Sequence, residues 1–194
     1  MTRTLLAAAA FITSATMLVP RVAQTQDEGI DPAIMQKMME LAAPGAEHEA
    51  LAHRVGAWKE HYKFRMGPGL PWNEADGRGE IKPLLGGRYI MEETHFEMMG
   101  MPMEGLQILG FDKGKGEYIS LWMDTNSTWW ITSRGKKTKD GAIEFKGTMV
   151  DVAGERPYRM VVREKGKDLI ENEMYDTIGF EEVHIMTIRS TRSR

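Results

Sequence analysis

Short segments of alternating apolar and polar residues, separated by turn sequences, follow one another from Gly56 almost to the end of the chain. In the first segment, Trp58, Glu60 and Tyr62 alternate with charged residues, which is typical of a strand with one dry face. Turn sequences rich in glycine recur at short intervals, and no helical period lies between them. About ten such segments predict an all-β sandwich or barrel with hairpin connections.

A helical segment precedes these strands. Asp31 followed by Pro32 is a typical helix start, with the aspartate as N-cap and the proline in the first turn. Apolar residues then recur at helical spacing until Pro44, and a second short helix is expected before Gly56. We therefore predict a tether and helical cap over residues 24–53, and a β domain over residues 54–194.

Residues 1–23 resemble a signal peptide. Arg3 supplies the positive start, and an apolar run over residues 5–19 has the length of a signal-peptide core but is short for a membrane span. Ala23 suits a cleavage site, whereas Arg21 does not, so an uncleaved anchor is the alternative. We expect an exported protein, periplasmic or secreted, with no stable membrane insertion after the signal is removed.

Composition excludes several classes of function. The chain has no cysteine, so disulfides, thiolate zinc sites and cysteine nucleophiles are ruled out. Its formal net charge of −3 and the lack of a basic run argue against nucleic-acid binding. Sequence motifs of serine hydrolases, P-loop enzymes, dinucleotide-binding folds and zinc proteases are missing. We therefore assign no catalytic residue, no metal ligand and no cofactor.

Several segments, read in order, resemble the family known as domain of unknown function 1579. They lie at residues 48–58, 66–69, 85–89, 97–105, 110–112, 118–124, 173–176 and 188–192. That family is similar to the calycins, which are meandering β-barrels that include lipocalins and haem-binding nitrobindins. The resemblance implies an antiparallel meander of about ten strands closed into a calycin-like barrel, with a short N-terminal helical segment. It implies little about function, because barrels of this kind serve many.

The resemblance also implies how the barrel closes. Gly56 and Trp58 on the first strand, with Arg189 or Arg192 near the end of the last, match the calycin arrangement in which an arginine stacks on a tryptophan. Such a cation–π contact has a structural meaning. The sequence departs from the family pattern at residues 125–130 and at His184.

The candidate ligand-binding residues lie on one predicted strand. Tyr118, Ser120, Trp122 and Asp124 share a face, and aromatic side chains with a few polar groups are typical of a ligand-holding interior. The alternative is that Ile119, Leu121 and Met123 point inward and the polar face meets water. His95 joins the candidate site if its own face also points inward.

The methionines, the histidines and three carboxylates each allow a structural and a functional interpretation. Four methionines over residues 98–103 suggest Cu(I) binding or, more simply, a hairpin turn packed over a barrel mouth. The histidine spacing does not suggest zinc. The resemblance to nitrobindin-like barrels implies a haem ligand near the C-terminus, where His184 stands; the alternative is a surface or rim histidine. The carboxylates Glu92, Glu93 and Glu97 are interpreted as solvated charges.

Three functions remain open. The first is non-catalytic binding of a small, partly apolar molecule inside the barrel. The second is a filled barrel that binds a protein partner through its helical cap and Met-rich turn. The third is an enzymatic or haem-binding barrel.

Overall fold

A computed structural model describes residues 30–151 and 154–194. The predicted signal peptide, residues 1–23, lies outside the described residues. Two helices are followed by ten strands: α1 Pro32–Ala42, α2 Ala46–Ala52, β1 Gly56–Phe64, β2 Asn73–Leu84, β3 Tyr89–Met98, β4 Met101–Asp112, β5 Glu117–Asp124, β6 Ile131–Lys137, β7 Ile143–Asp151, β8 Gly154–Glu164, β9 Leu169–Ile178 and β10 Glu181–Arg192.

The ten strands form one closed antiparallel barrel, and each strand pairs with its neighbours in sequence. The ring closes because β1 also pairs with β10, where Trp58 lies opposite Arg192 and Phe64 lies opposite Met186. Closure leaves no strand edge with unpaired backbone groups. The all-β, roughly ten-stranded meander closed into a barrel is therefore confirmed, together with its short helical segment.

Strand direction gives the barrel two different ends. The closed end carries α2, the start of β1 and the last residues of β10. The opposite end, here called the mouth, carries the β1–β2, β3–β4, β5–β6, β7–β8 and β9–β10 connections. Among the described residues, neither helix is long and apolar enough to cross a membrane.

The two helices differ in how they contact the barrel. In α1, the Asp31 side chain accepts a hydrogen bond from the Ala33 amide at 2.8 Å, yet the helix buries none of its residues. Lys113 holds its C-terminus, because the ammonium donates to the carbonyls of Glu40 and Ala43 at 2.5 and 3.0 Å. In α2, by contrast, Leu51 is 2% exposed and belongs to the main core. Only α2 therefore closes the end of the barrel.

The closed end holds much of the buried core. Its largest fully buried side chains are Trp58, Tyr118 and Phe145. The Trp58 indole donates to the carbonyl of Arg54 at 2.8 Å, and the guanidinium of Arg192 lies 4.3 Å from the centre of its ring. These side chains pack at the closed end, and the barrel interior toward the mouth encloses a cavity.

Candidate functional site

A cavity of about 500 Å³ occupies the barrel interior. Side chains from every strand line it, and it reaches Asn126 and Trp129 in the β5–β6 connection, which are both exposed. The cavity therefore opens to solvent at the mouth. Most of its wall is apolar, with Ile90, Leu109 and Met160 among the lining residues, and polar groups interrupt it at a few positions.

The predicted face of β5 points inward. Ser120, Trp122 and Asp124 line the cavity, whereas Ile119, Leu121 and Met123 do not. Tyr118 also points inward but lies deeper, at a separate space of about 110 Å³ near the closed end. Three of the four predicted β5 residues are thus brought together at the cavity, and the fourth belongs to the core beneath it.

A hydrogen bond and the absence of a side chain at Gly105 fix the position of Trp122. Its indole donates to Oδ2 of Asp124 at 2.8 Å, while Oδ1 of Asp124 accepts from the Asn126 amide at 2.9 Å. A Cβ on Gly105 would lie 2.2 Å from Cη2 of Trp122, so the ring rests directly on the β4 backbone. The tryptophan wall near the mouth consequently has a fixed orientation.

Deeper in the cavity, two carboxyl groups form the strongest polar feature of the wall. Glu60 of β1 and Glu92 of β3 both line the cavity. Oε2 of Glu60 accepts a hydrogen bond from the Tyr62 hydroxyl at 2.5 Å and another from the Thr94 hydroxyl. The two hydroxyls lie 2.6 Å apart. We call Glu60 and Glu92 the carboxyl pair.

The room for the carboxyl pair comes from a glycine on the strand between them. A Cβ on Gly79 of β2 would lie 2.9 Å from Oε1 of Glu60 and 3.0 Å from Oε1 of Glu92. Both oxygens therefore approach the same point, and any larger residue at position 79 would displace them. The pair depends on three adjacent strands, with the middle one contributing only space.

Burial and charge repulsion change how the carboxyl pair ionises. Loss of hydration and, after it, the charge of Glu60 together raise the pKa of Glu92 to about 8, against the opposing effect of the nearby Arg54 guanidinium. Burial beside Glu60 also raises the pKa of the Tyr62 phenol, which keeps this hydroxyl a donor. Near neutral pH the pair therefore holds a proton that an ordinary glutamate would have lost.

Arg54 is the one cation among the described residues that line the cavity. Its Nη2 lies 2.6 Å from Oε1 of Glu164, and its Nε donates to the same oxygen at 2.7 Å. Arg54 is thus bound to a carboxylate at the closed end. The other charged lining residues, Asp124 and Asp151, stand at the mouth, where Asp151 is bound by Arg156.

Several residues lie elsewhere than expected. His95 faces outward and pairs with Glu104 at 3.8 Å, because the alternate residues Thr94 and Phe96 are the ones that point inward. Arg189 is exposed, and Arg192 makes the stacking contact with Trp58 instead. His184 packs outside the barrel against Trp72 and Tyr175.

The interpretation of Glu92 as a solvated charge is wrong, since Glu92 lines the cavity. The sequence did hold a signal for both members of the pair. Glu60 stands on a face with Trp58 and Tyr62, and Glu92 stands on a face with Ile90 and Phe96. A carboxylate on an otherwise apolar strand face is costly to bury, so such a position indicates a functional or hydrogen-bonded group.

The described lining residues include no histidine that could bind a metal ion or a haem iron. None of the five histidines, all of which are described, lines the cavity. Among the described residues, no three His, Asp or Glu side chains cluster closely enough to hold a metal ion. The residues present therefore do not fit a histidine-ligated haem in this cavity.

The helical cap and the Met-rich turn lie at opposite ends of the barrel. Lys113 and Arg88 contact the end of α1 from the β4–β5 and β2–β3 connections, which lie at the closed end. Met99 and Met101, both exposed, lie at the mouth. The strands that join the two ends are about ten residues long, which is roughly 33 Å measured along a strand. A docking surface made of the helical cap and the Met-rich turn stays a prediction. Met98 and Met103 line the cavity near the mouth.

A closed ten-stranded antiparallel barrel with an interior cavity and a stacked Trp–Arg pair at its closed end defines a calycin-like protein. The model of the family described as "Protein of unknown function (DUF1579)" matches residues 43–192, so the chain belongs to this family.

Among solved structures, the crystal structure of Rv2717c from M. tuberculosis is similar, with a TM-score of 0.60 and 13% sequence identity. The match covers 78% of this chain and 100% of that one. At this identity the similarity shows a shared barrel fold. The comparison with curated proteins gives no match.

Proposed function

We propose that the protein binds a small, partly apolar molecule in the barrel cavity without catalysing a reaction on it. The observation that carries this proposal is the cavity of about 500 Å³, a size within the usual range of ligand pockets, roughly 300–1,000 Å³. Its composition supports the same function, because an apolar wall carries a few polar groups at fixed positions. The cavity favours this function over a filled barrel that acts through its surface.

The wall provides two kinds of contact. Trp122 gives a large flat surface whose orientation is fixed by Asp124 and Gly105. Gln107 donates to the Ser120 hydroxyl at 3.1 Å, so these polar groups are also positioned before a ligand arrives. Binding to groups that are already in place costs less entropy than binding to mobile ones.

The test is a fluorescence titration with N-phenyl-1-naphthylamine, a neutral apolar probe that brightens in dry surroundings. We expect saturable, one-to-one binding of this probe to the protein. Asn172→Phe places a phenyl ring in the cavity from β9 and should abolish probe binding. The control Arg189→Phe adds the same ring to the outer face of β10, beside the partner of Asn172, and should leave binding unchanged.

Trp122→Ala provides a second test at the mouth. It should weaken probe binding by about 2 kcal/mol, as removal of a buried aromatic anchor usually does. Absence of binding to the wild-type protein would overturn the proposal. Equal binding to the wild type and the Asn172→Phe variant would do the same, because the probe would then sit elsewhere, for example on the exposed face of α1.

We also propose that the protein is exported and that residues 1–23 are removed. The support is the positive start at Arg3 followed by the apolar run over residues 5–19. N-terminal sequencing of protein from its own host should find a mature chain that begins near Gln24. A cytosolic protein that retains Met1 would contradict this assignment.

A further inference from the structure

We propose that the cavity ligand carries a protonated amine and that this ammonium group binds at the carboxyl pair. The inference rests on the proposed function and names the chemistry of the ligand's polar end. It follows from the geometry of Glu60 and Glu92, from the charges around them, and from the proton that they hold.

The geometry presents acceptors at one point of the wall. Oε2 of Glu60 already accepts hydrogen bonds from Tyr62 and Thr94. Oε1 of Glu60 and Oε1 of Glu92 converge above Gly79, each about 3 Å from the same position. An ionised carboxylate only accepts hydrogen bonds, whereas an ammonium group carries three donors. A ligand with an ammonium end therefore matches both oxygens at once.

The charges of the cavity favour a cation as well. The carboxyl pair, which keeps one proton near neutral pH, lines the cavity together with Asp124 and Asp151, and Arg54 is the one cation among the described lining residues. Arg156 binds Asp151 at 2.6 Å. Glu164 binds the Arg54 guanidinium from outside the cavity at 2.6 Å. A cleft lined by one sign of charge concentrates ligands of the other sign. An anionic ligand would meet repulsion both at the mouth and at the carboxyl pair.

The carboxyl pair binds a proton near neutral pH, and the ammonium group of a ligand would take the place of this proton. Burial raises the pKa of Glu92 to about 8, so this carboxyl is protonated near neutral pH. The titratable groups that face it from the described elements are Glu60 and Tyr62 of β1 and Arg54 just before β1, while β2 presents Gly79. When an ammonium group binds, it replaces this proton, which passes to the buffer.

Two probes of the same shape separate charge from simple hydrogen bonding. These are 2-(1-naphthyl)ethylamine, which is protonated at neutral pH, and 2-(1-naphthyl)ethanol, which is neutral. Calorimetric titration of the wild-type protein should show amine affinity rising about tenfold per pH unit from pH 6 until it levels near the pKa of Glu92. Affinity for the alcohol should not depend on pH. At pH 7, binding of the amine should release close to one proton, measured in buffers of different ionisation enthalpy.

Neighbouring residues on β3 provide matched variants. Glu92→Gln keeps the shape of the inward side chain but has no proton to release, so the pH dependence of amine binding should disappear. Glu93→Gln changes the next carboxylate, which faces outward and binds Lys82 at 2.9 Å, and should behave as the wild type. Should Glu92→Gln not fold, as judged by circular dichroism, proton release by the wild-type protein still decides the question.

Two results would overturn the inference while leaving the proposed function in place. One is equal affinity for the alcohol and the amine across the pH range. The other is amine binding that neither depends on pH nor releases a proton. Failure of both naphthyl probes and of N-phenyl-1-naphthylamine to bind would instead remove the proposed function, and the inference with it.

Discussion

Inward-facing glycines decide where the largest side chains of the cavity wall lie. Gly105 makes room for the Trp122 ring, Gly79 makes room for the carboxyl pair, and a Cβ on Gly77 would lie 2.8 Å from the Phe96 Cβ. In these places glycine is needed for space rather than for an unusual backbone conformation. Each of these glycines therefore positions a side chain on a neighbouring strand.

Glu92 should make the stability of the protein depend on pH. Its folded-state pKa of about 8 lies above that of an unfolded glutamate, so the folded protein holds one more proton between about pH 5 and 8. The free energy of unfolding should therefore fall as pH rises through this window, by at most about 1.4 kcal/mol per pH unit, and level off above it.

Urea denaturation at several pH values measures this effect. Glu92→Gln should remove the slope and unfold at higher urea than the wild type at pH 9, because no charge is then buried beside Glu60. Glu93→Gln is the control and should keep the slope. A wild-type free energy of unfolding that is flat between pH 5 and 8 would show that Glu92 ionises normally.

Among the residues of the closed end, Trp58 should contribute most to the free energy of unfolding. Trp58→Ala deletes a side chain that is 2% exposed, its hydrogen bond to the Arg54 carbonyl, and its stacking with Arg192. The expected loss in the free energy of unfolding is roughly 3–5 kcal/mol. Trp130→Ala, at a position 64% exposed, should change it by less than about 0.5 kcal/mol. Equal effects of the two substitutions would contradict the packing described for the closed end.

At the scale of elements, α2 and α1 should contribute very differently to stability. Leu51 of α2 packs in the core at 2% exposure, whereas Leu41 of α1 is 41% exposed. We expect Leu51→Ala to cost roughly 2–5 kcal/mol and Leu41→Ala less than about 0.5 kcal/mol. Both substitutions remove the same atoms from a helix, so chemical denaturation of the pair separates burial from helix propensity. A large loss for Leu41→Ala would place α1 against the barrel.

The strands and their order follow from the sequence, while the inward face of a strand follows only in part. On β5 the sequence left both faces open, because Tyr118 to Asp124 and the intervening Ile119 to Met123 are both plausible interiors. On β3 it misplaced Glu92, since a charged side chain normally meets water. The reversal has a physical cause: Tyr62 and Thr94 donate hydrogen bonds to Glu60 beside Glu92, and Gly79 leaves space for both carboxyl groups. Glu60, Tyr62 and Gly79 lie on other strands and are remote in sequence from Glu92.

The whole molecule should unfold in a single step. Every strand of the barrel pairs on both sides, and β1 joins β10, so no strand can leave without breaking the ring. Far-ultraviolet circular dichroism follows the strands. Tryptophan fluorescence follows five residues, Trp58 at the closed end and Trp72, Trp122, Trp129 and Trp130 toward the mouth. The two transitions in urea should coincide, as expected for two-state unfolding. Separate midpoints would contradict unfolding in a single step.

The cavity opens at the mouth, and the carboxyl pair lies in its inner half, with Trp58 and Leu51 filling the space beneath. A ligand whose polar end binds at Glu60 and Glu92 would therefore enter with that end first. Its other end would lie toward Trp129 and the solvent. Such a one-way arrangement is strict about the head group and tolerant of tail length. Under the proposed function, the cavity would suit a series of related compounds that share one terminal group better than a single compound of fixed size.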